Sequence, residues 1–88
     1  VNNARRKTIA AAQAAVADAV TLLEGAITAL TDARDEEQEF YDNMPESFQT
    51  GDRGQAAEAA VDALTEAIDA IEELTGNDID GLLATAQE

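Results

Sequence analysis

The sequence holds no histidine, no cysteine and no tryptophan, and only one proline, one methionine and three aromatic residues among its 88 positions. Each absence closes a class of function. Without histidine or cysteine there is no nucleophile–imidazole pair, no thiolate chemistry and no ordinary zinc site. A disulfide scaffold is excluded. The one serine, Ser47, has no base beside it, and no glycine-rich phosphate loop is present. Bases are scarce as well: five against 19 acids, for a net charge of −14. Such a chain repels nucleic acid and anionic membranes through its own field. The expected partner is therefore a protein with a cationic surface, including the surfaces that normally hold nucleic acid. Direct nucleic-acid binding and membrane binding are not expected.

Long apolar runs are also missing. No run approaches the ~20 residues that span a bilayer. The basic start, Val1 to Lys7, followed by an alanine-rich stretch has the outline of a signal peptide. Gln13 and Asp18 interrupt it, and the helical pattern continues past Leu30, so a helix of the folded protein is the expectation. The expected compartment is the cytoplasm of whatever cell makes the protein.

What the sequence does have is helix-forming residues in heptad order. Hydrophobic residues make up 45% of the chain, and half of them are alanine. A long helix is expected over about residues 4–41. Ile9, Val16, Val20, Leu23, Ile27 and Leu30 step by sevens, threes and fours, with Val20 and Ile27 at a and the others at d of a heptad. Ala12, Ala19, Ala26 and Ala33 repeat every seven residues beside that seam, a spacing that lets another helix come close.

Pro45 ends the helix, and a turn over 42–52 follows. Two capping boxes are expected there, Asn43 with Glu46 and Asp52 with Gln55. A second helix, about 53–75, repeats the seam with Ala57, Val61, Leu64, Ile68 and Ile71, flanked by Ala60 and Ala67. Gly76 is placed to cap it. A short helix over about 78–87 completes the chain. Asn77 to Gly81 has part of a calcium-loop pattern, but Gly76 and Gln87 occupy both anchoring positions, so a helix N-cap is the better reading. No metal or other cofactor is expected.

The fold class is all-α: a single domain, 1–88, built as an antiparallel helical hairpin. Its large aliphatic residues form a thin seam, and a chain this small often needs a second subunit. The expected assembly is a homodimeric four-helix bundle.

The acids are patterned. From residue 54 onward there are nine acids and no base. Glu58, Asp62 and Glu66 lie four apart, as do Asp69 and Glu73, a spacing at which like charges repel on a helix. A second cluster, from Asp32 to Glu46, surrounds Phe40, Tyr41, Met44 and Phe48. The candidate partner-binding residues are Asp35, Glu36, Glu37, Glu39, Phe40, Tyr41, Asp42 and Met44 at the tip, and Glu58, Asp62, Glu66, Asp69 and Glu73 on the second helix. An apolar anchor rimmed by charge is a common form of binding hot spot. The same residues could equally form a plug closing the tip and a solvated helix face.

The block Arg34-Asp-Glu-Glu-Gln-Glu-Phe-Tyr-Asp-Asn-Met-Pro-Glu-Ser-Phe-Gln49, followed by Asp52-Arg-Gly-Gln and an acidic helix, resembles a family of small acidic helical proteins encoded by bacteriophages, prophages and other mobile elements. The likeness covers roughly residues 33–75. It implies a phage setting and not a mechanism. Small acidic phage proteins are frequently inhibitors of host defence, some by imitating the phosphate array of DNA. On that analogy the expected function is an acidic, non-enzymatic inhibitor of a host nucleic-acid-binding factor. A structural or adaptor bundle is the alternative.

Overall fold

The computed structural model describes residues 1–88. It contains four helices, α1 (Asn3–Asp42), α2 (Glu46–Gln49), α3 (Asp52–Thr75) and α4 (Ile79–Ala86), and no strand. α1 runs the length of the molecule, and α3 and α4 pack back along it. The result is a bent helical hairpin of 67 × 15 × 14 Å. Helix boundaries fall within a residue or so of those read from the sequence.

Half-buried residues mark the seam. On α1 the seam residues are Arg6, Ile9, Gln13, Val16, Val20, Leu23, Ile27, Leu30, Arg34, Glu37 and Tyr41, with Ala26 and Thr31 half-buried beside them. The steps alternate three and four without a break, so the heptad runs through polar residues at both ends. On α3 the matching set is Gly54, Ala57, Val61, Leu64, Ile68, Ile71 and Thr75. Ala57 and Ile68 are the only hydrophobic residues that are buried. A two-helix layer has nothing above or below its seam, so each a and d side chain keeps one edge in water. The chain exposes 6163 Å², where a compact monomer of its mass would expose about 4,900 Å².

The helix ends differ in detail from the expected caps. Asn2 caps α1, its Oδ1 accepting from Arg5 N at 2.8 Å. The capping box at Asn43 does not form. Asn43 is still in right-handed helical conformation and its N–H closes the end of α1, so Pro45 takes the N-cap of α2. Asp52 is likewise inside the first turn of α3, with Gly51 as N-cap. There its carboxylate acts on the helix dipole and not as a cap. Gly76 ends α3 at φ −78°, so the left-handed freedom of glycine is not used. Asp78 caps α4, its Oδ1 accepting from Gly81 N at 3.1 Å.

Polar groups tie both ends of the hairpin. At the open end Arg6 Nε donates to Gln87 O at 2.7 Å and Arg6 Nη2 to Glu88 O at 3.1 Å, a cation on the two carbonyls just past the end of α4. Gln13 Nε2 donates to Asp80 Oδ1 at 2.8 Å, and Gln13 Oε1 accepts from Gln87 Nε2 at 2.6 Å. At the closed end Gln49 Nε2 donates to the Tyr41 carbonyl at 3.1 Å. Gly54 is buried there, and a Cβ on it would overlap the main chain of Gln49. Glycine at 54 is what lets α2 fold down onto α3.

Within α1 one 18-residue window reaches a mean hydropathy of 1.4 with no more than two charged residues, enough by length and composition to cross a membrane. Valine, leucine and isoleucine contribute most of that value and alanine the smaller part. Between Lys7 and Asp32 the only charges are Asp18 and Glu24.

Candidate protein interface

The seam sorts every other side chain to one of two flanks. In an antiparallel helix pair, g positions of one helix adjoin g positions of the other, and e positions adjoin e positions. The g residues of α1 are Arg5, Ala12, Ala19, Ala26, Ala33 and Phe40. Those of α3 are Arg53, Ala60, Ala67 and Leu74. The neighbouring c positions add Ala15, Leu22, Ala29 and Glu36 on α1, and Ala56, Ala63 and Ala70 on α3. From Ala12 to Ala33 and from Ala56 to Leu74 this flank bears no charge. Its large residues stand in water: Leu22 is 76% exposed, Phe40 51% and Leu74 49%.

The opposite side is polar. Its e, b and f positions hold Asp18, Glu24, Asp32, Asp35 and Glu39 of α1, and Glu58, Asp62, Glu66, Asp69, Glu72 and Glu73 of α3, all exposed. The hairpin is thus amphipathic as a whole, with carboxylates on one side and alanine and leucine on the other. Arg34 with Asp35, at 3.4 Å, is the one ion pair, so the carboxylates of α3 carry no counter-charge from the chain itself.

The structure divides the residues singled out from sequence. Glu58, Asp62, Glu66, Asp69 and Glu73 share the polar side of α3, with Asp35, Glu39 and Asp42 on the same side of α1. Asp42 accepts a hydrogen bond from Gln38 Nε2 at 2.9 Å. Glu36 lies instead on the alanine side. Glu37 is half-buried in the seam beyond Arg34, because the heptad continues through it. The tip residues do not form one patch. Phe40, Asn43, Met44, Pro45, Phe48 and Arg53 line a cleft of about 300 Å³ on the alanine side. Tyr41 is not among them. It occupies the seam, where hydrogen bonding to Glu58 raises its phenol pKa above the usual value. Partial burial and the negative charges of Glu58 and Asp42 add to that shift.

Sequence reasoning missed Arg6, Gln13, Gly54 and Arg53. Arg6 and Gln13 were detectable as the seven-residue continuation of the seam from Val20. A smaller cleft of about 240 Å³ sits at the α3–α4 break, lined by residues including Gln13, Val16, Val20 and Ile79. No group of carboxylates is arranged to hold a metal ion. No family model, curated protein or solved structure matches this chain.

Proposed function

We propose that this protein acts by binding and not by catalysis, as an acidic inhibitor from a phage or mobile element. On this reading it works in the cytoplasm of a bacterial host, as a homodimer. The observation that supports it is the unpaired carboxylate side of α3, continuous with the acids of α1. Such a surface fits a cationic groove on a protein that normally holds nucleic acid. Charge density narrows the mimicry. A net charge of −14 over 67 Å is about one charge per 5 Å, against about 3.4 Å per phosphate for one strand and about 1.7 Å for duplex. The nearer likeness is to a single strand.

The test is capture from bacterial lysate by wild-type protein and by the triple variant Glu58→Lys, Asp62→Lys, Glu66→Lys. The wild type should retain a partner that high salt or single-stranded oligonucleotide displaces, and the variant should not. Equal capture by both proteins would reduce the stripe to a solvated face. The adaptor reading, which the exposed Phe40 and Phe48 favour, would then stand in its place.

A further inference from the structure

We infer that the alanine–leucine flank is the seat of a second copy of this chain, laid antiparallel with its open end over the closed end of the first. The inference rests on the dimer proposed above and on nothing in the carboxylate reading, since those acids lie on the opposite side.

Shape selects the occupant and its direction. Facing helices at 1.5 Å per residue put Ala26 and Ala67 at one level, close to the middle of the flank. A two-fold axis in the interface plane at that level, across the helices, sets α1 on α1 and α3 on α3. Leu22 then lies over Ala26, Ala29 and Ala33 of the other copy, and Leu74 over its Ala56, Ala60 and Ala63. Phe40, about 21 Å from the axis, meets alanines 12 and 15. Leu82 is 70% exposed. The phase of α4, in which Ile79, Leu83 and Gln87 are half-buried, turns it to this same flank. It lies about 22 Å from the axis, level with the cleft formed by Phe48 and Arg53. One register seats each of the four large residues. A two-fold along the helices would instead stack Leu22 on Leu74 and alanine on alanine, leaving a gap at one end of the interface.

Charge points the same way. Eight acids and two bases lie between Asp32 and Arg53, whereas Arg5, Arg6 and Lys7 balance Asp78, Asp80 and Glu88 at the open end. Antiparallel copies keep the two acidic tips at opposite ends. The flank itself is free of charge over its middle, so two strongly acidic chains can meet there. Its footprint is about 48 Å by the 15 Å width of the molecule, or about 700 Å² per copy. A standard interface uses about 800 Å² per partner. The dimer would present its two carboxylate surfaces outward on opposite sides and so engage two cationic partners at once.

The test uses the full chain, which has no cysteine of its own. Sedimentation at micromolar concentration should give a dimer. Ala26→Cys should form an interchain disulfide on mild oxidation, because the two copies of residue 26 meet at the axis. Ala14→Cys, on the polar side, should not. Leu22→Glu should raise the dissociation constant by at least ~100-fold while circular dichroism stays helical, since Leu22 touches little within its own chain. A wild-type monomer, or a Leu22→Glu protein that stays dimeric, overturns the inference. A wild-type dimer in which Ala26→Cys fails to cross-link overturns the antiparallel register and leaves the dimer standing. None of these outcomes bears on whether the carboxylate side binds a partner.

Discussion

At the closed end of the hairpin Glu58 of α3 lies near enough to Tyr41 of α1 to raise its phenol pKa above the usual value. Hydrogen bonding to Glu58 and partial burial favour the protonated phenol, and ionising it would add a third negative charge to those of Glu58 and Asp42.

The chain has a single tyrosine, so its titration can be read directly from ultraviolet absorbance. The phenol should ionise above the ordinary value of about 10. In Glu58→Gln it should shift back toward that value. A group whose folded pKa is raised contributes stability below its unfolded pKa and loses it as pH rises through the folded one. Stability attributable to Tyr41 should therefore be constant through neutrality and fall above about pH 10. The fall should be smaller in Tyr41→Phe, and an identical alkaline profile for both proteins would count against the contact.

Gly54→Ala should destabilise the tip. Its methyl group would overlap the main chain of Gln49, and the overlap can be relieved only by lifting α2 from α3. Overpacking of this kind costs about 1–3 kcal/mol. For a domain of this size each kcal/mol lowers Tm by roughly 4–8 °C. Gly25→Ala is the control: a Cβ there meets nothing within 4 Å, and alanine is the better helix former by about 1 kcal/mol. The two substitutions should move Tm in opposite directions.

Those two glycines show where the sequence was readable and where it was not. Apolar periodicity located α1, α3 and their shared seam, because seam burial follows directly from helical spacing. It passed over Gln13 and stopped at Ile9 and Leu30 because Gln13, Arg6, Arg34, Glu37 and Tyr41 are polar or aromatic, although they occupy the same positions. Arg6 and Gln13 sit there because the carbonyls and amides of α4 lie opposite them; the seven-residue step from Val20 marks their positions, but nothing local marks what they meet. The capping boxes failed for a similar reason: Asn43 and Asp52 have suitable spacing, but the main chain at both is already helical. The carboxylate stripe of α3 was legible in full. The apolar flank was visible only as repeating alanine, since the exposure of Leu22 and Leu74 depends on how α3 returns.

The Gln13 and Arg6 contacts should govern α4 alone. That helix is eight residues long, too short to persist without tertiary support. Gln13→Ala combined with Arg6→Ala removes the bonds to Asp80, Gln87 and Glu88. Hydrogen exchange should then quicken at the amides of residues 82–86, while α1 and α3 from Val20 to Leu64 keep their protection. Uniform loss of protection along the whole hairpin would show that α4 is part of one cooperative unit and not a docked segment.

Asp62→Lys separates stability from binding. In the wild type Asp62 lies four residues from both Glu58 and Glu66, two repulsive pairs on an exposed helix face. Lysine converts both to attractive pairs, at about 0.2–0.5 kcal/mol for each repulsion removed and each attraction made. The net gain should be about 1 kcal/mol at low salt, seen as a Tm higher by roughly 4–8 °C. Salt should erode this gain, because the charges are exposed and screened beyond about 10 Å at 0.1 M. If the stripe is held for a cationic partner, the same substitution should weaken capture of that partner while making the free protein more stable. A helix face serving only solubility has no reason to keep the less stable arrangement. A variant that is more stable and still captures its partner as well as wild type would therefore favour a solvated face, and one that is more stable but fails to bind would favour the inhibitor.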